Sequence, residues 1–313
     1  MQTIKGHFTD FNLYNETVKN WDLNYKLLSK SDFSAELHMI FDDNFSLLNE
    51  KLIGKIEQKG KTEKGLMVFG ILAKNCTLYW FDKKIGSDTL VIFPKENNYE
   101  VISDSNHDAY VLSINKNIFF DVMKKAGIKK DEKIFNNKAQ LLVLNKEFSS
   151  RFINLLEYYL NTNLNNPKKN SALIESITLS LVEYFGKAKL KKVPIKLNKK
   201  DLAIKKAVKL IDKQVDNLFS IPQICALVGV SESTLLIAFK EKYQVSPSDY
   251  IKAFRLNKVK QEIYNTKTKR ISEIAGKYHF WHMGQFAKDF KKQFGILPSE
   301  VRKKKQNVNY LLK

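Results

Sequence analysis

The chain has 313 residues, 43% of them hydrophobic, and carries 53 Lys and Arg against 33 Asp and Glu, a net charge of +20. That length suits two globular domains, and two cysteines, Cys76 and Cys225, exclude both a disulfide framework and a four-cysteine zinc site. No run approaches the ~20 apolar residues of a membrane span, and the opening MQTIKGHFTDFNLYN lacks a signal-peptide core, so a cytoplasmic protein with reduced, buried thiols is expected.

Residues 1 to about 30 show no clear period. From Phe33 to about Asn115 the chain reads as β structure. FSAELHMIF, LIGKIEQKG, GLMVFGIL, CTLYWF, TLVIFP, YEVIS and AYVLSIN are short runs rich in β-branched and aromatic residues. Gly60, Gly65, Gly70, Gly86 and Pro94 punctuate them. Such spacing predicts a sandwich or small barrel over residues 1–115. The histidines His7, His38, His107, His279 and His282 offer no His-x-His or His-Glu-x-x-His spacing, so no metal site or cofactor is expected. Neither a phosphate loop nor a nucleophile elbow occurs, so no enzyme activity is expected.

From Ile118 the period turns helical. IFFDVMKKAGI is a short helix ending near Gly127. EFSSRFINLLEYYL carries Phe148, Phe152, Leu155, Leu156 and Tyr159 on one face, and SALIESITLSLVEYFG carries Leu173, Ile177, Leu181 and Phe185. Residues 116–187 thus predict a helical hairpin whose stripes either pack on the β domain or form a dimer interface. Residues 188–200 are charged, hold Pro194 and lack a stripe, and read as a linker.

Residues 201–313 form the third block. From Lys199 onward there are 24 Lys and Arg against 10 Asp and Glu, so the smaller part of the chain holds most of the positive excess. One pattern is written there twice. Ile221, Ile224 and Cys225 recur as Ile271, Ile274 and Ala275, 50 residues on. Leu235, Phe239, Lys240 and Pro247-Ser248-Asp249 recur as Phe286, Phe290, Lys291 and Pro298-Ser299-Glu300, 51 residues on.

Each copy reads as a helix-turn-helix. Pro222 suits a helix start, Gly229 permits positive φ in the turn, and Ser231 is the N-cap of the second helix. Ile224, Gly229, Leu235 and Phe239 make the core of the first unit. Ile274, Phe280, Phe286 and Phe290 make that of the second, where His279 replaces the turn glycine. Ser233, Leu236 and Ile237, then His282, Met283, Gln285 and Lys288, are left as candidates for reading base edges in the major groove. Ser231, Lys240, Lys242, Lys269, Arg270, Lys291 and Lys292 are the candidates for phosphate contacts.

The helix starts, FKEKY and FKKQF, both Pro-Ser corners and RLNKVKQEI resemble the AraC/XylS family of bacterial transcription regulators over about the last 105 residues. FWHMGQFAKDFKKQFG is similar to one branch of that family. The resemblance implies an α+β multidomain fold: an N-terminal cupin-like barrel with a helical hairpin, and an all-α domain with two helix-turn-helix units. A long helix holding Tyr250, Arg255, Leu256, Val259 and Ile263 joins the two units. It also implies a cytoplasmic activator that binds promoter DNA, works with RNA polymerase, and answers to a small-molecule effector or to homodimerisation. The family usually has Arg where Ile237 stands and Gly where His279 stands. An architectural DNA binder with no effector is the alternative, and a DNA-acting enzyme carrying these helices is a third class.

Overall fold

Strands and helices follow the two periods above, with additions that the sequence did not announce. The computed structural model describes residues 1–18, 23–28, 33–80, 83–94, 98–128, 139–162, 167–187, 191–193, 199–213, 219–266 and 268–304. In chain order these are β1 (Gln2–Phe8), α1 (Phe11–Val18), β2 (Leu23–Leu27), β3 (Ser34–Asp42), β4 (Phe45–Ile53), β5 (Ile56–Lys61), β6 (Leu66–Leu72) and β7 (Thr77–Trp80). Then come β8 (Lys83–Gly86), β9 (Thr89–Ile92), β10 (Asn98–Ser103), β11 (Asn106–Asn115), α2 (Lys116–Lys125), β12 (Gln140–Val143), α3 (Lys146–Leu160), α4 (Pro167–Lys187) and β13 (Lys191–Val193). The remainder is helical: α5 (Lys199–Lys213), α6 (Ile221–Val228), α7 (Glu232–Tyr243), α8 (Pro247–Asn265), α9 (Ile271–Lys277), α10 (Met283–Phe294) and α11 (Pro298–Lys304).

The chain folds into two compact units. The first holds residues 1–7, 35–53 and 59–195, the second 8–34, 54–58 and 196–313. Residues 8–34 and 54–58, expected within the N-terminal β domain, therefore belong with the C-terminal helices. Their run is too short and too mixed in period to declare its partner.

In the first unit an eight-stranded sheet has the order β1-β3-β4-β11-β6-β9-β12-β13. β11 lies antiparallel between β4 and β6: Leu112 faces Leu47 and Phe69, and Ile114 faces Phe45 and Met67. These side chains fall on one face because strand side chains alternate. Phe119, Val122 and Met123 of α2, Phe152, Leu156 and Leu160 of α3, and Leu173, Ile177, Leu181 and Phe185 of α4 complete that buried core. The buried residues of the α3 and α4 stripes thus pack inside this unit's own core, Ile177 and Leu181 at 0% exposure. β10, β7 and β8 run antiparallel, with Trp80 opposite Val101 and stacked on Tyr99 at 5.7 Å.

The expected linker, 188–200, lies partly outside the described residues. Within it Lys191–Val193 pair antiparallel with β12, Val193 opposite Leu141, and Lys199 opens α5. A strand at the end of a sheet needs backbone pairing on one side only, so no apolar stripe marked it.

In the second unit α5 packs on α6 and α7, and α8 meets β2, α7, α9, α10 and α11. Tyr250 of α8 is completely buried against Phe239 and Tyr243. Farther along α8, Leu256, Val259 and Ile263 join Ile274, Ala275, Tyr278, Phe286, Phe290 and Val301 in a second core. One helix therefore carries a core at each end.

Candidate nucleic-acid interface

The first unit is built as its residues require. Ser220 caps α6 in a reciprocal capping box with Gln223, and Pro222 sits in the first turn. Gly229 ends α6 at φ +74°, a left-handed conformation that costs a Cβ-bearing residue. Ser231 then caps α7, accepting from the Thr234 N–H at 3.2 Å. The two helices bend by 93° at this turn, an angle that suits a helix-turn-helix. Ile224, Leu235 and Phe239 are buried beneath it, each at 1% exposure or less.

The second unit repeats the plan with different capping. The Arg270 N–H donates to Glu273 at 3.2 Å at the start of α9. His279 occupies the position of Gly229 at φ +64°, so a non-glycine residue does take the strained turn. His282 is the N-cap of α10 and provides no side-chain cap. Ile274, Phe286 and Phe290 are buried, and Phe280 is half-buried against them.

Among the candidates for base contact, Ser233, Leu236, Ile237, His282, Gln285 and Lys288 are exposed. Met283 is half-buried and packs against the core of its unit, so much of its side chain is committed inward. Among the phosphate candidates, Ser231, Lys240, Lys269, Arg270, Lys291 and Lys292 are exposed. Lys242 is not: it is 6% exposed with its ammonium over the Tyr243 ring at 5.2 Å. It follows Leu235, Ala238 and Phe239 at helical spacing, so its stem belongs to the buried face.

Two of the exposed cations have acidic neighbours. Lys269 lies 3.4 Å from Glu262, and Arg270 lies 3.9 Å from Glu273. Glu262, on α8, also accepts from Lys277 at 2.8 Å and from the Tyr278 hydroxyl at 2.8 Å. Burial alone pushes this carboxyl up, but the donations from Lys277, Tyr278 and Lys269 together outweigh it and hold it below its ordinary value. Burial, and then the bond to Glu262, push Tyr278 up to about 12.

Trp281 was not among the sequence candidates. It is 70% exposed immediately before α10, edge-on to His279 at 6.2 Å. That exposure is a signal carried by structure and not by spacing.

Among the described residues no three His, Cys, Asp or Glu are grouped as a metal site, and no single helix is long and apolar enough to cross a membrane. Two helix-turn-helix units on one joining helix define a DNA-binding domain of the transcription-regulator class. Residues 224–304 match the family model described as "Helix-turn-helix domain". The probable thc operon regulatory protein of Rhodococcus erythropolis is 27% identical over 99 residues, 31% of this chain and 30% of that one. The XylDLEGF operon transcriptional activator 2 of Pseudomonas putida is 31% identical over 98 residues, 31% of this chain and 62% of that one. The solved AraC-like transcriptional activator CuxR aligns with 83% of this chain and 96% of its own at 12% identity and a TM-score of 0.43. The chain spans less than two thirds of the length of these curated relatives. Over this C-terminal stretch the chain carries a helix-turn-helix domain similar to those of these operon regulators.

Proposed function

We propose that the protein is a sequence-specific DNA-binding transcription regulator that lays α7 and α10 in successive major grooves on one side of a duplex. The observation that carries this reading is the repeat itself: two helices of one template, each with its core stripe buried and its opposite side exposed, joined through α8. One turn of duplex is roughly 34 Å, so α8 sets the spacing or the DNA bends to meet it. Ser233, Leu236 and Ile237 are the contacts of the first unit; His282, Met283, Gln285 and Lys288 are those of the second.

The two units do not read alike. Leu236 at 38% and Ile237 at 52% exposure are apolar, and they suit thymine methyl groups better than hydrogen-bonding base edges. Gln285 suits adenine in a bidentate pair. The uncapped first turn of α10 leaves backbone N–H groups for a phosphate. The second unit therefore supplies most of the specificity.

The protein acts as an activator in contact with RNA polymerase, in the cytoplasm, with the N-terminal unit sensing a small ligand or mediating dimerisation. Footprinting of genomic fragments bound by the purified protein tests this. Two protected half-sites about one helical turn apart are expected. Protection of random sequence without preference leaves only an architectural binder, and failure to bind duplex DNA at low ionic strength sinks the proposal.

A further inference from the structure

We infer that strand β2 is a positioning element of the second reading helix, tying α10 to α8 through the Leu27 backbone; the inference rests on α10 facing DNA. Leu27 is completely buried. Its N–H donates to Asn257 Oδ1 at 3.4 Å, and its carbonyl accepts from Asn257 Nδ2 at 3.0 Å. The Asn257 amide thus pairs with β2 as a neighbouring strand would. Its second N–H bond goes to the Ala253 carbonyl at 2.7 Å, which keeps the amide plane in place on α8.

The same Leu27 carbonyl accepts from Gln293 Nε2 at 2.8 Å. Gln293 lies in the last turn of α10 and is 1% exposed. One carbonyl oxygen therefore accepts from α8 and α10 at once. A rotation of α10 on α8 breaks the Gln293 bond at a buried position, and unmade buried bonds are costly. A second contact repeats the link. Lys260 of α8, 1% exposed, lies over Phe294 of α10 at 4.1 Å and over Phe11 of α1 at 5.5 Å.

The strand is itself pinned. Lys26 Nζ lies 2.7 Å from Glu57 Oε2, with side-chain exposures of 14% and 1%. The Tyr250 hydroxyl donates to the same carboxylate oxygen at 2.9 Å. The Lys26 ammonium sits 4.5 Å from the Phe254 ring centre and 3.4 Å from Asp212. Residues far apart in the chain are thereby joined by charge-assisted bonds at low exposure.

The experiment uses the full chain and a duplex recovered by the wild type from genomic fragments. Gln293→Met keeps the volume and leaves the Leu27 carbonyl with its Asn257 bond. The double variant Lys26→Met with Glu57→Gln removes both charges from the pin. Each is expected to keep protection over the α7 half-site, lose it over the α10 half-site, and weaken the full site about two- to tenfold. Wild-type amide exchange over residues 23–28 is expected to slow when DNA binds. An unchanged footprint, equal weakening of both halves, or exchange indifferent to DNA overturns the inference. A wild type that recovers no duplex overturns the DNA reading as well, and is told apart because no variant is needed to see it.

Discussion

Lys240 and Lys242 stand two positions apart on α7 and meet different surroundings, one exposed and one buried. Charge counts treat them alike; helical phase does not. Lys242 completes the 235, 238, 239, 242 stripe, so it was legible in the sequence once phase was set above charge. Lys240→Ala is expected to weaken all sequences alike and to flatten the salt dependence by about 0.9 in slope. Lys242→Met is expected to leave that slope unchanged; a fall equal to that of Lys240→Ala would show that the lysine swings out to phosphate. Gln285→Ala should cost about 1–3 kcal/mol on the specific site and relax one base position. Trp281 is 70% exposed, so a smaller DNA-induced fluorescence change is expected in Trp281→Phe than in the wild type, and an unchanged signal would move the contact elsewhere.

At the scale of elements, the two turns make a matched pair. Gly229 at φ +74° has no atom within 4 Å of an added Cβ, so Gly229→Ala should cost about 1 kcal/mol from backbone strain alone. His279 at φ +64° carries that strain already, and His279→Gly should recover up to about 1 kcal/mol. Denaturant midpoints of the two variants check both signs. The Glu262 group ties α8 to α9 through Lys277 and Tyr278. Because its folded pKa is lowered, Glu262 stabilises above the ordinary carboxylate range, and the gain disappears as pH falls through the folded value. Glu262→Gln should remove about 1–2 kcal/mol at neutral pH and flatten the acid limb of stability. Tyr278 has the opposite sense: its folded pKa is raised to about 12, so its contribution is complete below about 10 and lost between there and 12. A tyrosinate titration with no late-titrating group would contradict that assignment.

For the molecule as a whole, the positive excess from Lys199 onward predicts a steep salt dependence. If Lys240, Lys269, Arg270, Lys291 and Lys292 each meet a phosphate, log affinity against log salt should fall with a slope of about −4.5. A slope near −1 would mean that these lysines and arginines lie away from the duplex. The α3 and α4 stripes belong to this scale too. Their period announced helices, yet whether the stripes met a sheet or a second copy depended on where β11 and its neighbours lie. The structure places them in the first unit's core.

Residue order alone specified the repeat, and also the two turns, the cap at Ser231, the helix start at Pro222 and the buried stripes, because each of these last depends on residues within about four positions of one another. Local conformational preferences and helical phase are written at that range. Folding in three dimensions was needed to bring residues 8–34 into the C-terminal unit and Leu27 to Asn257 and Gln293. It was needed equally to bring Lys26 to Glu57 and Tyr250. Those partners are separated by tens to hundreds of residues, and a backbone carbonyl or a lone lysine carries no pattern that names what it will meet; only the packed chain brings them within hydrogen-bond reach.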